Sequence, residues 1–380
     1  MNAAAEDHLP APEHTRASDA ACTRIDQLLA AAHTGDATGD AARALASRLR
    51  AAGHRAGLFA LSVDDDVAGE VLPLDELPEA ADDDVTVLHF AIPSPLGRLL
   101  AGRRGRRLIV YHNLTPPELL LPHCPDLARL TALGRRQLTE LADTGAVDLA
   151  IGVSRFNTAD LQAAGFARTA TLPLPLELGR LRGPINPVLA AELARPPLPT
   201  FITVGRVAPN KRIEDFLKIA AYYLRYVSPE ARFLVVGGTR GLEPYLDALV
   251  ELHGELKLDD RVRFTGKVSL ADLITYYRGA AGYVCTSEHE GFCAPLLEAM
   301  ALRLPVVARR AAAVPETLGG AGILLRTRDP AAWAETLAVV ATEPGLRADL
   351  IERGRRRVAD FEPTAVLDRW VERLGAGISS

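Results

Sequence analysis

Short apolar runs alternate with longer amphipathic stretches along most of the chain, and this alternation restricts the fold more than any other feature. Runs such as LIVY (Leu108–Tyr111) and VDLAIGV (Val147–Val153) are nearly all apolar. Strands of that kind need both faces covered, as in parallel sheets flanked by helices. In the first half, strands are expected near Ile25–Leu29, Ala56–Leu61, Val85–Phe90, Leu108–Tyr111, Val147–Val153 and Thr169–Leu172, with helices such as Asp40–Ala52 and Asp126–Asp143 between them. The pattern stops from Leu172 to Pro199, where seven prolines occur. Proline fixes its own φ and biases its predecessor against helix, so this stretch is expected to be a semi-rigid connector. Alternation then restarts, with strands at Phe201–Val204, Phe233–Val236, Val262–Phe264, Gly282–Cys285 and Val306–Ala308. The helices expected between them are Lys211–Arg225, Glu243–His253, Leu270–Tyr277 and Pro295–Leu302.

The expected architecture is therefore α/β, with two doubly wound parallel sheets. At 380 residues the chain is long enough for two ordinary domains of roughly 100–200 residues each. The expected division is a tail at 1–22, a first domain at 23–178, a linker at 179–199, a second domain at 200–361 and a terminal helix at 362–380 that returns to the first domain. Trp370 is its packing anchor. Ligands of such sheets sit beyond the carboxyl ends of the strands, so the βα loops should carry the chemistry.

An apolar content of 48% with 24% charged residues describes a globular chain, and a formal charge of −5 argues against a general nucleic-acid binder. Cys22, Cys124, Cys285 and Cys293 lack CxxC or Cys/His ligand spacing, which supports neither a disulfide framework nor a zinc site. No apolar run reaches signal-peptide or membrane-spanning length, so a reducing cytoplasm is the expected location. The acidic runs Asp64–Asp66 and Asp82–Asp84 read as solvated loops rather than a metal site. GRLLAGRRGRR (Gly97–Arg107) has two readings. It is either a solvated loop or a peripheral contact with anionic lipid at the inner face of the plasma membrane, through Arg103, Arg104, Arg106 and Arg107, at ~1 kcal/mol per residue.

Two stretches of the second half carry the site chemistry. In VGRVAPNKRIEDF (Val204–Phe216), a strand end and a Pro-Asn turn lead to Lys211 and Arg212 at the start of a helix. Cations are disfavoured there by the helix dipole. Grouping Arg206, Lys211 and Arg212 makes sense if an anion such as a diphosphate fills the gap; the plainer reading is a solvated basic turn. In SEHEGFCAPLLEAMALRLPVVA (Ser287–Ala308), the amides of Gly291, Phe292, Cys293 and Ala294 open a helix and form a second anion cradle. Glu290 lies in the loop, and Glu298 lies about a turn into the helix among apolar neighbours. A buried carboxylate needs partners. Sugar or ribose hydroxyls would supply them; pairing with a nearby arginine is the plainer alternative.

GRVAPNKR, the Glu-Gly-Phe turn and a second glutamate eight positions after the first together resemble the donor site of retaining glycosyltransferases of the GT-B fold. This is the large group 1, family-four type that includes bacterial mannosyl- and glucosyltransferases. IDQLLAAAHTGDATGD, VLHFAIPSPL, VYHNLTPPE and GVSRFN in the first half resemble its polysaccharide mannosyltransferase branch. The resemblance implies two Rossmann-like domains facing a cleft, and transfer of a hexose from a nucleotide diphosphate sugar to a glycan or lipid-linked acceptor, in polysaccharide or glycoconjugate biosynthesis. No metal or further cofactor is implied.

Residue by residue, the resemblance puts Arg206 and Lys211 on the diphosphate with the amides near Phe292, Cys293 and Ala294. It puts Glu298 on the ribose, Glu290 on the transferred sugar, and Lys267 and Val268 beside the base. His112 would reach the sugar from the first domain. Gly35 and Asp36 would face phosphate or acceptor, although TGDATGD is less glycine-rich than the double-glycine turn of many relatives. A guanine donor carrying mannose is the first expectation and a uridine sugar the second. An epimerase or phosphorylase of the same fold fits the motifs less well. A catalytically silent sugar-nucleotide sensor or assembly subunit is the rival from another class.

Overall fold

The computed structural model describes residues 22–33 and 37–375. The first sheet contains β1 (Arg24–Leu29), β2 (Arg55–Ala60), β3 (Leu72–Pro73), β4 (Val85–Phe90), β5 (Arg106–Tyr111), β6 (Leu149–Gly152) and β7 (Thr169–Thr171). The second contains β8 (Thr200–Val204), β9 (Arg232–Val236), β10 (Val262–Gly266), β11 (Gly282–Cys285), β12 (Val306–Arg309) and β13 (Ile323–Leu325). Their orders are β3-β2-β1-β4-β5-β6-β7 and β10-β9-β8-β11-β12-β13, and every pair of these strands is parallel. Strand order reverses between β1 and β4 in one sheet and between β8 and β11 in the other. A crevice opens at each reversal, at the carboxyl ends of the strands. The loops after β8 and β11 are the two stretches that carry the basic and acidic motifs, so topology brings them together.

The central strands are apolar because helices cover both faces: β4, β8, β9 and β11 are buried at every position. The described C-terminal helix, Pro363–Gly375, packs against Ala37–Ala51 of the first sheet's layer. Arg48 pairs with Asp368, and the buried Trp370 donates its indole N–H to the Pro173 carbonyl at 2.8 Å. Apolar residues of this helix share a core with Ile25, Leu45 and Leu49, so the end of the chain straps the two sheets together.

Several expectations are corrected. The proline-rich segment is not a plain connector. It contains a 3₁₀ turn at Leu178–Arg182 and a helix at Pro187–Leu193. Asn186 caps that helix by accepting from the amides of Val188 and Leu189, and Pro187 suits its first position, where no N–H is needed. The helix expected at Lys211 begins at Ile213, after a 3₁₀ turn at Pro209–Lys211 and a left-handed Arg212 (φ 54°). The first-domain helix begins at Ala37, so part of TGDATGD is helical. Asp84 is buried and ion-paired with Arg24 at 3.0 Å rather than solvated, although Asp64–Asp66 do border an exposed turn.

The arginines of GRRGRR are occupied internally. Arg103 donates to Thr86 Oγ1 (3.0 Å) and the Pro78 carbonyl (2.9 Å) and faces Asp26; Arg106 donates to the Leu374 carbonyl (3.0 Å). The Arg107 amide donates to Asp148, and only Arg104 points outward, in a bidentate pair with Asp82. Arg103 and Arg106 are thus engaged within the fold. Among the described residues, no helix is long and apolar enough to cross a membrane.

Candidate active site

The loop after β8 and the loop after β11 are stitched together. The Asn210 carbonyl accepts from the Glu288 amide (2.8 Å), Asn210 Nδ2 donates to the His289 carbonyl (3.0 Å), and Thr286 Oγ1 donates to the Lys211 carbonyl (2.9 Å). This places Lys211 Nζ 2.6 Å from Glu290 Oε1, which also accepts from Ser287 Oγ at 2.7 Å. Both contacts fall on one carboxylate oxygen, and both side chains of the ion pair are largely buried. Burial opposes the charge on Lys211, yet Glu290 outweighs it and raises the ammonium above the ordinary lysine range.

Cys293 takes a left-handed conformation (φ 66°) just before the helix Ala294–Ala301. The first amides of that helix have no partner within it. Cys293 Sγ lies 3.9 Å from Cys285 Sγ, and together with Glu290 they form a cluster of potential ligand atoms within 4.8 Å. The Lys211 ammonium already supplies the cation beside Glu290. The contact between the two thiols raises Cys293 above the ordinary thiol range and lowers Cys285.

Glu298, one face further along the helix, accepts from Arg180 Nη2 (2.7 Å) on Oε1 and from the Tyr277 hydroxyl (2.9 Å) on Oε2. The arginine pairing weighed from the sequence is thus present, from the turn after β7. Each carboxylate oxygen has a further lone pair for a hydroxyl. Arg180 and Tyr277 could not be read from the sequence, since they lie 118 and 21 residues away from Glu298.

The predicted cation group divides. Arg206 is exposed at the end of β8, near Cys124 and Glu243. Arg212 turns away from Lys211 to Glu214 (3.0 Å), Asp215 (3.5 Å) and Glu288 (3.6 Å). Those acidic groups, two of them in the first turn of a helix, account for Arg212 without a bound anion. Glu288 also meets Arg309 and Arg328 and belongs to this cluster. Lys267 is exposed and Val268 partly buried at the carboxyl end of β10, beside Gly238 at the β9 end. Gly35 and Asp36 lie outside the described residues.

The first domain closes over the Glu290 turn. A Cβ on Gly291 would stand 2.5 Å from Asn113 Cβ and 3.0 Å from the His112 carbonyl, so only glycine admits this approach. Ser154 Oγ donates to the Gly291 carbonyl (2.7 Å), and His289 Nε2 meets Asn113 Oδ1 (2.6 Å), whose amide group donates to Asn157 (2.7 Å). Asn157 is anchored on the Tyr111 carbonyl. This latch was missed in the sequence; its only signal was the cap pattern of Ser154, which accepts from the Asn157 amide as it opens the helix Arg155–Ala163. The structure therefore brings together Lys211, Glu290, Gly291, Phe292, Cys293, Ala294 and His112. Glu298 lies on the next helical turn, and Arg206, Lys267 and Val268 sit on flanking loops.

Residues 189–357 match the family described as "Glycosyl transferases group 1". A D-inositol 3-phosphate glycosyltransferase of Saccharomonospora viridis is 29% identical over 304 residues, covering 76% of this chain and 70% of the relative. One of the same description from Frankia alni is 37% identical over 169 residues, and there the chain spans only 41% of the relative's length. The O-antigen chain mannosyltransferase B of Escherichia coli is 30% identical over 159 residues, covering 42% of this chain and 41% of the relative. Among solved structures, sucrose-phosphate synthase from Thermosynechococcus elongatus superposes with a TM-score of 0.71 at 20% identity, over 92% of this chain and 98% of that one. Anabaena HepE, in complex with UDP and glucose, gives 0.72 at 17% identity, over 93% and 99%. The family match covers the domain that holds both motifs, and the likeness of fold extends across both sheets: residues 189–357 are similar to the group 1 glycosyl transferases, and the chain has the GT-B fold.

Proposed function

We propose that this chain is a retaining hexosyltransferase that moves a sugar, mannose from GDP-mannose in the first instance, from a nucleotide diphosphate to a hydroxyl of a glycan or lipid-linked acceptor. The observation that carries the reading is the Lys211–Glu290 pair, 2.6 Å apart where the two loops at the strand-order reversal meet under the first domain. Breaking a sugar–phosphate bond leaves negative charge on the diphosphate and positive charge at the anomeric carbon. Lys211, with Arg206 and the amides at Phe292 to Ala294, addresses the first charge. A cation ~4 Å away is worth about 4 kcal/mol at an effective dielectric of 20. Only the part gained between ground and transition state accelerates the reaction. These groups serve in place of a metal. Glu290, with Oε1 tied to Lys211 and Ser287, offers Oε2 to a sugar hydroxyl, and Glu298 receives the ribose diol. The acceptor attacks from the face the diphosphate leaves, and the leaving phosphate takes the acceptor's proton; Glu290 orients the sugar rather than forming a covalent bond to it.

Similarity to an O-antigen mannosyltransferase supports mannose, and likeness to a UDP- and glucose-bound protein supports a uridine sugar as the second reading. A thermal-shift screen against GDP-mannose, UDP-glucose and related nucleotide sugars separates them. At a hundredfold excess over Kd the correct donor stabilises the protein by about 2.7 kcal/mol, and the other donors by much less. Equal shifts with all donors, or none with any, would refute the donor-site assignment.

A further inference from the structure

Gln27 on β1, His89 on β4 and His112 just after β5 form a hydrogen-bonded file across three adjacent strands. Gln27 Nε2 donates to the Ala42 carbonyl in the covering helix at 3.1 Å, which turns Oε1 toward His89 Nε2, 2.9 Å away. An amide oxygen only accepts, so His89 carries its proton on Nε2. The Nδ1 of a neutral His89 is then a bare lone pair, and it lies 2.9 Å from His112 Nε2. His112 must donate through Nε2, which leaves its Nδ1 as the lone-pair nitrogen. That Nδ1 is buried and has no hydrogen-bond partner among the described residues. Burial holds His89 at about 4; burial and then His89 hold His112 well below the ordinary histidine range. Both rings are therefore neutral near pH 7.

We propose that Gln27 and His89 are positioning residues that fix the tautomer of His112, so that its Nδ1 accepts a hydrogen bond from one hydroxyl of the donor sugar. A site built this way rejects a sugar that lacks that hydroxyl, or that places another acceptor there, because the buried Nδ1 is left unpaired. The polarity of the file gives Gln27, fully buried in a parallel sheet, a reason to be polar. A leucine there would leave His89 free to exchange tautomers, and His112 would follow. The selectivity half of the proposal rests on the reading that His112 faces the donor sugar; the tautomer half does not.

The test has two arms. Long-range proton–nitrogen NMR of ¹⁵N-histidine-labelled protein near pH 7.5, without donor, should show His112 protonated on Nε2 and bare on Nδ1. In Gln27→Leu the His112 signals should shift toward the other tautomer. A His112 protonated on Nδ1 in the wild type overturns the proposal, whether or not the protein transfers sugar. In the second arm, kcat and KM are measured with GDP-mannose and UDP-glucose and with monodeoxy analogues of each. The wild type should discriminate against one deoxy analogue by on the order of tenfold or more, and Gln27→Leu and His89→Phe should erase most of that preference through kcat. If NMR gives the expected tautomer but every deoxy analogue keeps its relative rate in the variants, His112 does not face the sugar, and the selectivity claim falls with that placement.

Discussion

Lys211 and Glu290 neutralise each other in a largely buried setting, so their contribution to stability can be measured apart from their proposed part in transfer. Removing one partner of a buried pair leaves an uncompensated charge and costs roughly 3–5 kcal/mol, whereas replacing both by neutral groups of similar size is often near neutral. Lys211→Met should therefore lower the urea midpoint markedly. The Lys211→Met/Glu290→Gln double variant should regain much of that loss while remaining inactive in transfer. Equal destabilisation in the single and double variants would show that the pair is not coupled. The chemical types of these residues were legible in the sequence, because a cation after one strand and carboxylates after another are the groups that the proposed phosphate and hydroxyl site requires. The destination of Arg212 was only partly legible: Glu214 and Asp215 follow it within three residues, but Glu288 comes from a separate loop that only the fold brings near.

At the scale of elements, the central strands followed from their apolar runs, and β4 and β11 fall at their expected bounds. What escaped were pieces whose signal is short or mixed. β3 has two residues and β13 three, too few for periodicity to show, and the helix Pro187–Leu193 hides among prolines that elsewhere break helices. The arginine-rich stretch that leads into β5 shows the opposite error, since a dense charge run suggested a surface when Arg103 reaches Thr86 of β4 and Asp26 of β1, both central strands. The side chain of Arg103 is only 9% exposed and faces the buried Asp26. Arg103→Glu should thus cost several kcal/mol, about 3–5, by opposing two carboxylates. Arg104→Glu, at an exposed pair with Asp82, should leave stability close to that of the wild type. Chemical unfolding of the two variants checks the contrast, and equal effects would restore the surface reading.

For the molecule as a whole, the two sheets meet along the Glu290 turn and are strapped by the C-terminal helix, and the contact concentrates buried histidines. Burial lowers His89 and His289 to about 4, and burial and then His89 hold His112 well below its ordinary value. The unfolded chain, with histidine near 6.5, binds more protons than the folded one between about pH 6.5 and 4, so stability rises with pH across that window and is lost as pH falls through it. The melting temperature should drop steeply over this range, and His89→Phe should flatten the slope. An unchanged slope in that variant would contradict the buried, neutral state of His89.

On the proposed function, the paired loops of the second domain hold and activate a nucleotide diphosphate sugar. The most direct measurement is donor consumption and product formation by the wild type and Glu290→Ala, with the donor chosen by the thermal-shift screen and the anomeric configuration of the product read by NMR. The account predicts turnover with retained configuration in the wild type, and a loss of roughly a hundredfold or more in kcat for Glu290→Ala, whose nucleotide affinity changes little. A wild-type protein that binds the donor but never consumes it, or a Glu290→Ala variant that transfers at the wild-type rate, would contradict it.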